Sequence, residues 1–452
     1  MREMKDSNVN WLNAIPCEWA LSRIKYVLNE RIEKNDPIKT KDILSLTAKQ
    51  GVIPLSKKQG GGNKPKEDFT AYKLAYPNDI VVNSMNILSG SVGLSKYFGC
   101  VSPVYYMLRP FNDNFDVRYF NYIFQTKVFQ LSLFGLGNGI LIKESGNGKF
   151  NTIRMRIPME KFGNLLIPVP NKKEQQQIAD YLDTQCSEID ATSEDIQKEI
   201  SLLEEYKKSV ITEAVTKGLN PDVEMKDSGI EWIGEIPKDW EFPKITHILD
   251  YTHPYPIGDG DHGTIKAENY SEEGIPFIRV QNLGFATELI MNNVVYITEK
   301  QNNGIINSTL YPNDILFAKT GATIGKVGIM PENIKKANTT SHVGKITVSE
   351  EVVPKYIFYV LSSFIGYKQF WDIALMKSTR PELSIDEIKT LHVLLPKTKE
   401  EQQQIADFLD TKCSEIDSLI ADKKRQLDIL ADYKKSLIYE YVTGKKEVPV
   451  NK

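Results

Sequence analysis

The sequence has little of what a disulfide-bonded, metal-binding or membrane-spanning protein requires. Its 452 residues include only five histidines and four cysteines, Cys17, Cys100, Cys186 and Cys413, which show no Cys-x-x-Cys spacing. No apolar run approaches the ~18 residues of a membrane span, and the charged start is not followed by the apolar run of a signal peptide. We therefore expect a reduced, cytoplasmic chain without a membrane partner.

Motifs for catalysis are also incomplete. Residues 321–326 resemble a phosphate-binding loop, but the glycines are one residue too close and no Ser or Thr follows the Lys to hold magnesium. Residues 220–222 read Asn-Pro-Asp, which is not the Asn/Asp-Pro-Pro-aromatic tetrapeptide of amino methyltransferases. His253 and His262 have aspartates nearby but no third His or Cys to complete a zinc site. We expect no catalytic residue, no metal site and no cofactor bound by this chain.

What the sequence does contain is a duplication. Residues 174–216 begin EQQQIADYLDTQCSEID and end EEYKKSVITEAVT, and residues 401–443 begin EQQQIADFLDTKCSEID and end ADYKKSLIYEYVT. The two stretches align without a gap at an offset of 227 residues, with 25 of 43 positions identical. A second repeat relates residues 4–19 to residues 225–240, which share MKDS, Ile-Pro and two Trp. A leading segment, a globular domain and a long stretch therefore follow one another twice.

Each duplicated stretch predicts one long helix, because neither contains Pro or Gly and apolar residues recur at steps of three, four and seven. At about 1.5 Å per residue such a helix is roughly 65 Å long, and an apolar seam of that length needs a partner helix. We predict that the copies pair antiparallel about a pseudo-two-fold axis; the alternative is two independent amphipathic helices, each packed on its own domain. The predicted seam residues are Leu182, Ile189, Ile196, Leu203, Val210, Leu409, Ile416, Leu430 and Leu437.

The net charge of −3 is unevenly distributed along the chain. The first long stretch carries 11 acidic and 3 basic residues and the second carries 9 and 6, so the remaining residues sum to +8. A basic remainder can bind a polyanion while acidic helices stay away from it. Acidic helices with solvated faces would account for the same numbers, so charge alone does not decide between the two interpretations.

The residues that precede each long stretch predict a domain of mixed helices and strands. Both domains contain Tyr-Pro-Asn-Asp-Ile, which begins at Tyr76 and at Tyr311. Helical patterns occupy 117–133 and 355–372. Strand-like runs occur at 79–83, 103–108, 275–281, 315–318 and 343–348.

The predicted fold class is therefore α+β, with a pseudo-two-fold internal repeat. It consists of two α/β domains separated by two long antiparallel coiled-coil helices. The predicted boundaries are 1–170 for the first domain, 171–220 for the central helix, 221–397 for the second domain, 398–446 for the C-terminal helix and 447–452 for a tail.

The two domains differ most in loops rich in Arg, Lys, Asn, Gln, Ser and Thr. Such side chains bind phosphates and read base edges through hydrogen bonds. Similar domains with different polar loops are typical of two readers of two different sequences, although any single loop is more often a solvated surface turn. The candidate DNA-binding residues are Lys57, Lys58, Asn63, Lys64, Lys143, Asn147 and Lys149 in the first domain, and Arg279, Gln281, Asn282, Lys319, Thr320, Thr340, Ser341, His342, Lys377, Thr379 and Arg380 in the second.

With these features the chain resembles the specificity subunit of type I restriction-modification systems. The motifs that carry the resemblance are the duplicated EQQQIADYLD and EQQQIADFLD helix starts, each preceded by a Pro, and two dissimilar domains that each follow an Ile-Pro-x-x-Trp segment. The resemblance covers essentially the whole chain. It implies two target recognition domains separated by two conserved long helices, which pair antiparallel as spacer and ruler.

The resemblance also implies a subunit without catalysis that binds double-stranded DNA at a bipartite, asymmetric sequence, one half per domain. Two copies of an adenine-N6 methyltransferase subunit would dock on the helices at 174–216 and 401–443, joined in restricting systems by ATP-dependent translocase-nuclease subunits. S-adenosylmethionine, ATP and magnesium would be used by those partners. Base-reading residues do not follow from the resemblance, because these domains differ between family members.

Three other functions stay open on the sequence alone. A stand-alone DNA-binding regulator needs a helix-turn-helix or similar unit, and none stands out. A coiled-coil scaffold whose globular ends bind proteins is compatible with the acidic balance, whereas an enzyme is disfavoured by the missing cofactor motifs. DNA binding that is weak alone but sequence-specific with a methyltransferase partner would separate the family resemblance from all three.

Overall fold

The structure, a computed structural model, describes residues 2–48, 50–58, 65–137, 156–287, 289–376 and 381–449. The chain divides into two compact units: unit 1 comprises Met1–Ile196 and Arg425–Lys452, and unit 2 comprises Gln197–Lys424. The boundaries fall within the two predicted long helices, so each unit holds one globular domain and a part of both helices. A search of the described residues finds no helix with the length and apolar character that crossing a membrane requires.

Unit 1 is built around a four-stranded antiparallel sheet. Its strands are β1 Met4–Asp6, β2 Ala14–Pro16, β3 Ala20–Arg23, β4 Leu28–Arg31, β5 Leu44–Thr47, β6 Gly51–Pro54, β7 Lys73–Ala75, β8 Ile80–Asn83, β9 Val92–Leu94, β10 Gly99–Val101, β11 Tyr105–Pro110 and β12 Leu166–Val169. The central sheet has the order β4-β11-β8-β9, and the other strands pair in twos. The helices are α1 Ile24–Val27, α2 Val117–Gln125, α3 Lys127–Ser132, α4 Met159–Gly163 and the first part of α5 Lys172–Lys217.

Unit 2 repeats this plan and adds a second sheet. Its strands are β13 Met225–Asp227, β14 Glu235–Pro237, β15 Ile257–Asp259, β16 Ile275–Ile278, β17 Val295–Ile297, β18 Ile315–Ala318, β19 Val327–Ile329, β20 Asn338–Thr339 and β21 Val343–Ile346. The central antiparallel sheet has the order β15-β21-β18-β19, and a three-stranded sheet has the order β17-β16-β20 with β16 and β20 parallel. The helices are α6 Glu299–Gly304, α7 Pro354–Ser362, α8 Phe364–Leu375, α9 Ile385–Ile388 and most of α10 Lys399–Val442.

The central sheets of the two units have matching registers. Ile80 pairs with Leu94 in unit 1, as Ile315 pairs with Ile329 in unit 2. The pair Tyr105–Asn83 likewise corresponds to the pair Val343–Ala318. Strands β8 and β18 are buried throughout, and α2 and α7 pack against the neighbouring edge strands β9 and β19. Positions in these strands, and the residues directly next to them, can therefore be equated one by one.

Each predicted helix beside the sheet is in fact two helices. The pattern at 117–133 is interrupted at Thr126, whose hydroxyl caps α3 by accepting from the Phe129 N–H, and the pattern at 355–372 is interrupted at Ser363, which caps α8 through the Ile365 N–H. Both caps have extended backbone dihedrals. Apolar periodicity continues across such a break, because a hydroxyl cap satisfies the freed N–H groups without disturbing the buried face.

The two long helices pair antiparallel within each unit, as predicted. In unit 1 the rings of Tyr181 and Tyr441 lie 4.6 Å apart and Lys434 binds Asp190 at 2.6 Å, so α5 and α10 run in opposite directions. In unit 2 Lys423 binds Glu199 at 2.5 Å and Lys207 binds Asp417 at 2.7 Å, with the same result. The nine predicted seam residues are buried or half-buried.

Candidate nucleic-acid interface

The duplicated helix start is fixed to its domain by a tryptophan. In unit 1 the Trp19 Nε1–H donates to the Glu174 carboxylate at 3.0 Å, and in unit 2 the Trp240 Nε1–H donates to Glu401 at 3.0 Å. Both indoles are fully buried. In both units the repeated leading segment thus places a Trp against the first Glu of the EQQQIAD motif.

The following glutamine ties the same helix start to the domain's own helix. The Gln175 amide accepts from the Asp116 N–H at 2.9 Å and donates to the Pro170 carbonyl at 2.8 Å. Gln402 accepts from the Val353 N–H at 2.9 Å and donates to the Pro396 carbonyl at 3.2 Å. Because both amides are buried and bonded at both ends, each long helix leaves its domain at a fixed angle.

About two turns further along the long helix, a tyrosine from α2 or α7 contacts it. Tyr122 donates to Asp183 at 2.7 Å and Tyr359 donates to Asp410 at 2.6 Å. Burial beside these pairs raises the pKa of Cys186 and of Cys413 to about 11. Both thiols therefore stay protonated at neutral pH, as expected for small apolar residues of the helix stripe.

The candidate DNA-binding residues of unit 2 converge where β18 ends and β21 begins, which we call the strand-end site. The Lys319 ammonium, almost fully buried, binds the Asp259 carboxylate of β15. The Thr320 hydroxyl and the exposed His342 imidazole are hydrogen-bonded at 3.2 Å. The exposed His262 ring also contacts Asp259, at 3.2 Å. The structure thus joins residues from three separate loops into one polar cluster.

A tight backbone crossing supports this cluster. Asp261 accepts from the N–H groups of the three residues 263–265 and its carbonyl accepts from the Ser341 N–H at 2.9 Å. A Cβ atom on Gly260 would lie 1.9 Å from the Thr339 carbonyl oxygen, so only glycine fits there. Thr340 and Ser341 are half-buried on the same crossing. Sequence analysis found these residues but not the glycine that lets the two segments approach.

The loop at residues 279–282 is organised differently. Asn282 is fully buried, and its amide accepts from the Arg279 N–H at 2.9 Å and donates to the Ile290 carbonyl at 2.7 Å. This residue holds the loop and is not at the surface. Arg279 is half-buried, donates to the Asn293 carbonyl at 2.9 Å and lies over the Tyr270 ring, whereas Gln281 is exposed.

The strand-end site of unit 1, where β8 ends and β11 begins, is an open cavity of about 530 Å³. The residue equivalent to Lys319 is Ser84, and both bond the equivalent carbonyl: the Ser84 hydroxyl donates to Val104 at 2.8 Å and the Lys319 N–H to His342 at 3.0 Å. The polar residues that line the cavity are Ser45, Lys58, Lys66, Tyr72, Asn83, Asn86, Ser91, Ser102 and Tyr105.

Of the residues predicted in the first domain, Lys58 lines this cavity and Lys57 is exposed on the short turn after β6. Sequence analysis missed Asn83, Asn86 and Ser102, although their equivalence to positions 318, 321 and 340 follows from aligning the Tyr-Pro-Asn-Asp turns and the strand registers. The predicted residues Asn63, Lys64, Lys143, Asn147, Lys149, Lys377, Thr379 and Arg380 lie outside the described residues.

Within the described ranges no cluster of three or more His, Cys, Asp and Glu side chains could hold a metal ion. His262 and Asp259 form a pair, and Asp259 is already bound to Lys319.

Comparison with known proteins gives a consistent result over most of the chain. The family described as type I restriction modification DNA specificity domain matches residues 16–202 and 237–428. The type I restriction enzyme MjaVIII specificity subunit of Methanocaldococcus jannaschii is 28% identical over 381 residues, covering 82% of this chain and 81% of that protein. The type I restriction enzyme EcoBI specificity subunit of Escherichia coli is 27% identical over 264 residues, covering 56% of this chain and 52% of that protein.

A solved structure has a similar fold. A chain from a structure on complex assembly and conformational transition of the type I R-M system matches with a TM-score of 0.62. The match covers 96% of this chain and 99% of that chain at 13% sequence identity. The two chains therefore share the two-domain, two-helix architecture although few of their residues are identical.

Proposed function

The chain belongs to the family of type I restriction-modification specificity subunits, with two target recognition domains, and we propose that each domain reads one half of a bipartite, asymmetric DNA sequence. One observation carries this proposal. The Trp–Glu and Gln hydrogen bonds that anchor the long helices are the same in both units, whereas the strand-end sites carry different polar residues. Domains that are held in the same way but present different polar side chains at the same place contact their two half-sites differently, through phosphates or through base edges.

We further propose that two copies of a methyltransferase subunit dock on the long helices. Leu202 and Tyr206 of α5, in unit 2, are 63% and 57% exposed, and the equivalent residues Ile429 and Tyr433 of α10, in unit 1, are 67% and 50% exposed. Residues four apart lie on one helix face. Two equivalent apolar patches, one per unit, fit two copies of one partner.

In this proposal the chain itself performs no catalysis and binds no cofactor. S-adenosylmethionine is used by the methyltransferase copies, and ATP and magnesium by translocase-nuclease subunits in a restricting system. The assembly acts on double-stranded DNA in the cytoplasm. The acidic helices support this arrangement, because a negative helix surface favours a protein partner over DNA phosphates.

Mapping of methylated adenines tests the proposal. The chain would be co-expressed with its methyltransferase partner in a host that lacks other adenine methylation, and every methylated adenine located. We expect a two-part asymmetric motif whose first half alone changes when residues 17–165 are exchanged for those of a relative. Methylation that is absent, or identical without this chain, despite a confirmed complex, would contradict the proposal and favour a scaffold.

A further inference from the structure

We propose that the strand-end cavity of unit 1 binds a phosphodiester group of the DNA backbone. This inference rests on the proposed DNA-recognition function and adds the position and the chemistry of one contact. The cavity lies at the position where unit 2 has the cluster of Lys319, Thr320 and His342. The two domains therefore use the same end of the same central strand pair for polar side chains.

The shape of the cavity limits what part of DNA can enter it. Base edges lie inside the grooves of a duplex, so a protein reads them with side chains that protrude. A concave site instead receives a group that projects from the duplex, as backbone phosphates do. A volume of about 530 Å³ has room for a phosphodiester with its flanking sugar atoms.

The chemistry of the lining favours an anion. Two lysines, Lys58 and Lys66, line the cavity together with the side-chain amides and hydroxyls named above, and the described lining residues include no Asp or Glu. Burial raises the pKa of Tyr105, so its phenol adds no negative charge at neutral pH. Cations with neutral donors and no carboxylate form a site for phosphate oxygens.

The site is also held in shape before DNA arrives. The buried Tyr72 hydroxyl accepts from the Lys66 N–H at 2.8 Å, which fixes the backbone of this lysine at the cavity. Asn83 Oδ1 accepts from the Met85 N–H at 3.0 Å, which orients that amide. The nearby Asp68 carboxylate is bonded to the N–H and hydroxyl of Thr70.

Unit 2 differs at this place in its charge. The Lys319 ammonium is bound to Asp259, and the groups at the surface are His262, His342 and Thr320. Since a phosphate contact carries no sequence information, the unit 1 cavity positions its domain on DNA without selecting bases.

The test is the salt dependence of DNA binding by the complex of the full chain with its methyltransferase partner. The variant Lys58→Ala/Lys66→Ala should weaken binding to the methylated motif, and the slope of log K against log salt concentration should become shallower by about 1. The map of methylated adenines should keep the same motif. The control variant is Lys96→Ala, an exposed lysine of unit 1 on the turn between β9 and β10, which should leave the slope unchanged.

Ser102→Trp provides a second test, because it fills the cavity without removing a charge. It should weaken binding about tenfold or more, with the same motif. An altered base preference in the first half-site would show base reading and overturn the phosphate assignment. An unchanged salt slope in the variant Lys58→Ala/Lys66→Ala would also overturn it. If the unsubstituted complex binds DNA without any sequence preference, the proposed function itself is refuted. Melting temperatures and complex formation identify any variant that fails to fold, and the other variant then decides.

Discussion

The two units contain the same Tyr-Pro-Asn-Asp turn, but the cation that pairs with the buried Asp of this turn comes from a different strand in each unit. Tyr76 and Tyr311 begin the Tyr-Pro-Asn-Asp turns, in which the Tyr N–H donates to Asp79 or Asp314 at 2.9 Å in both cases. The third residue of each turn is an Asn in the left-handed region, with φ of 68° and 69°. Each carboxylate is buried, so each requires a cation.

In unit 1 that cation is Arg31 of β4, which donates to both oxygens of Asp79 at 3.1 and 3.2 Å. The residue that pairs with Arg31 on the central strand β11 is Met107. In unit 2 the central strand supplies Lys345, 3.7 Å from Asp314, and its neighbour on the edge strand is Gly258. The cation and the neutral residue have exchanged strands.

This exchange shows what the fold requires at the turn. A positive charge beside the carboxylate is needed, but the strand that provides it is free to vary. The environments differ in consequence: Arg31 is half-buried, whereas Lys345 is fully buried and also donates to the Thr309 carbonyl at 2.7 Å. Burial raises the pKa of Asp314 and lowers that of Lys345. Each of these charges lies in surroundings that disfavour it, so each relies on its partner more strongly than in unit 1.

Removing the lysine should have the largest effect. Lys345→Met leaves Asp314 buried without its cation, and we expect unit 2 to lose about 3–5 kcal/mol of free energy of unfolding. Arg31→Met in unit 1 should cost less, about 1.5–3 kcal/mol, because water can reach the freed carboxylate more easily. Hydrogen exchange of the β18 and β8 amides measures the two losses separately.

The strand exchange can be reproduced by mutation. A Cβ atom on Gly258 meets nothing within 4 Å, and its backbone is not in the left-handed region, so a side chain can start from this position without a clash. The variant Gly258→Arg/Lys345→Met gives unit 2 the arrangement of unit 1 and should recover part of the stability that Lys345→Met loses. If the double variant is no more stable than Lys345→Met, the two arrangements are not interchangeable.

Substitutions in the two exposed helix patches should change the number of methyltransferase copies that the chain binds. Tyr206→Asp places a charge in the proposed docking patch of unit 2, and Tyr433→Asp does the same in unit 1. Because central interface aromatics commonly contribute 2 kcal/mol or more, each variant should lose one methyltransferase copy at micromolar concentration, and the double variant both. Native mass spectrometry counts the copies. Full stoichiometry in the double variant would exclude these patches from the interface.

Much of this architecture could be predicted from the sequence, because duplication repeats whatever the fold needs. The long helices and the strand at 315–318 follow from periodicity, and the antiparallel pairing of the helices follows from the duplication. The unit 1 cavity does not, because Lys58, Asn83 and Ser102 come from separate turns that only the sheet register brings together. The division of each long helix between the two units does not follow from the sequence either, since one apolar stripe continues across both units.

The tryptophan anchors offer the smallest and most controlled comparison. Trp19→Phe and Trp240→Phe remove the same volume and the same N–H hydrogen bond to a glutamate. Glu174 keeps its ion pair with the Arg2 guanidinium, whereas no second side chain is bonded to Glu401 in the described part of the chain. Trp240→Phe should therefore destabilise unit 2 by about 1 kcal/mol more than Trp19→Phe destabilises unit 1. Adding Arg2→Met to Trp19→Phe should remove that difference in chemical denaturation. Equal losses in the two single variants would mean that Arg2 contributes nothing to this anchor.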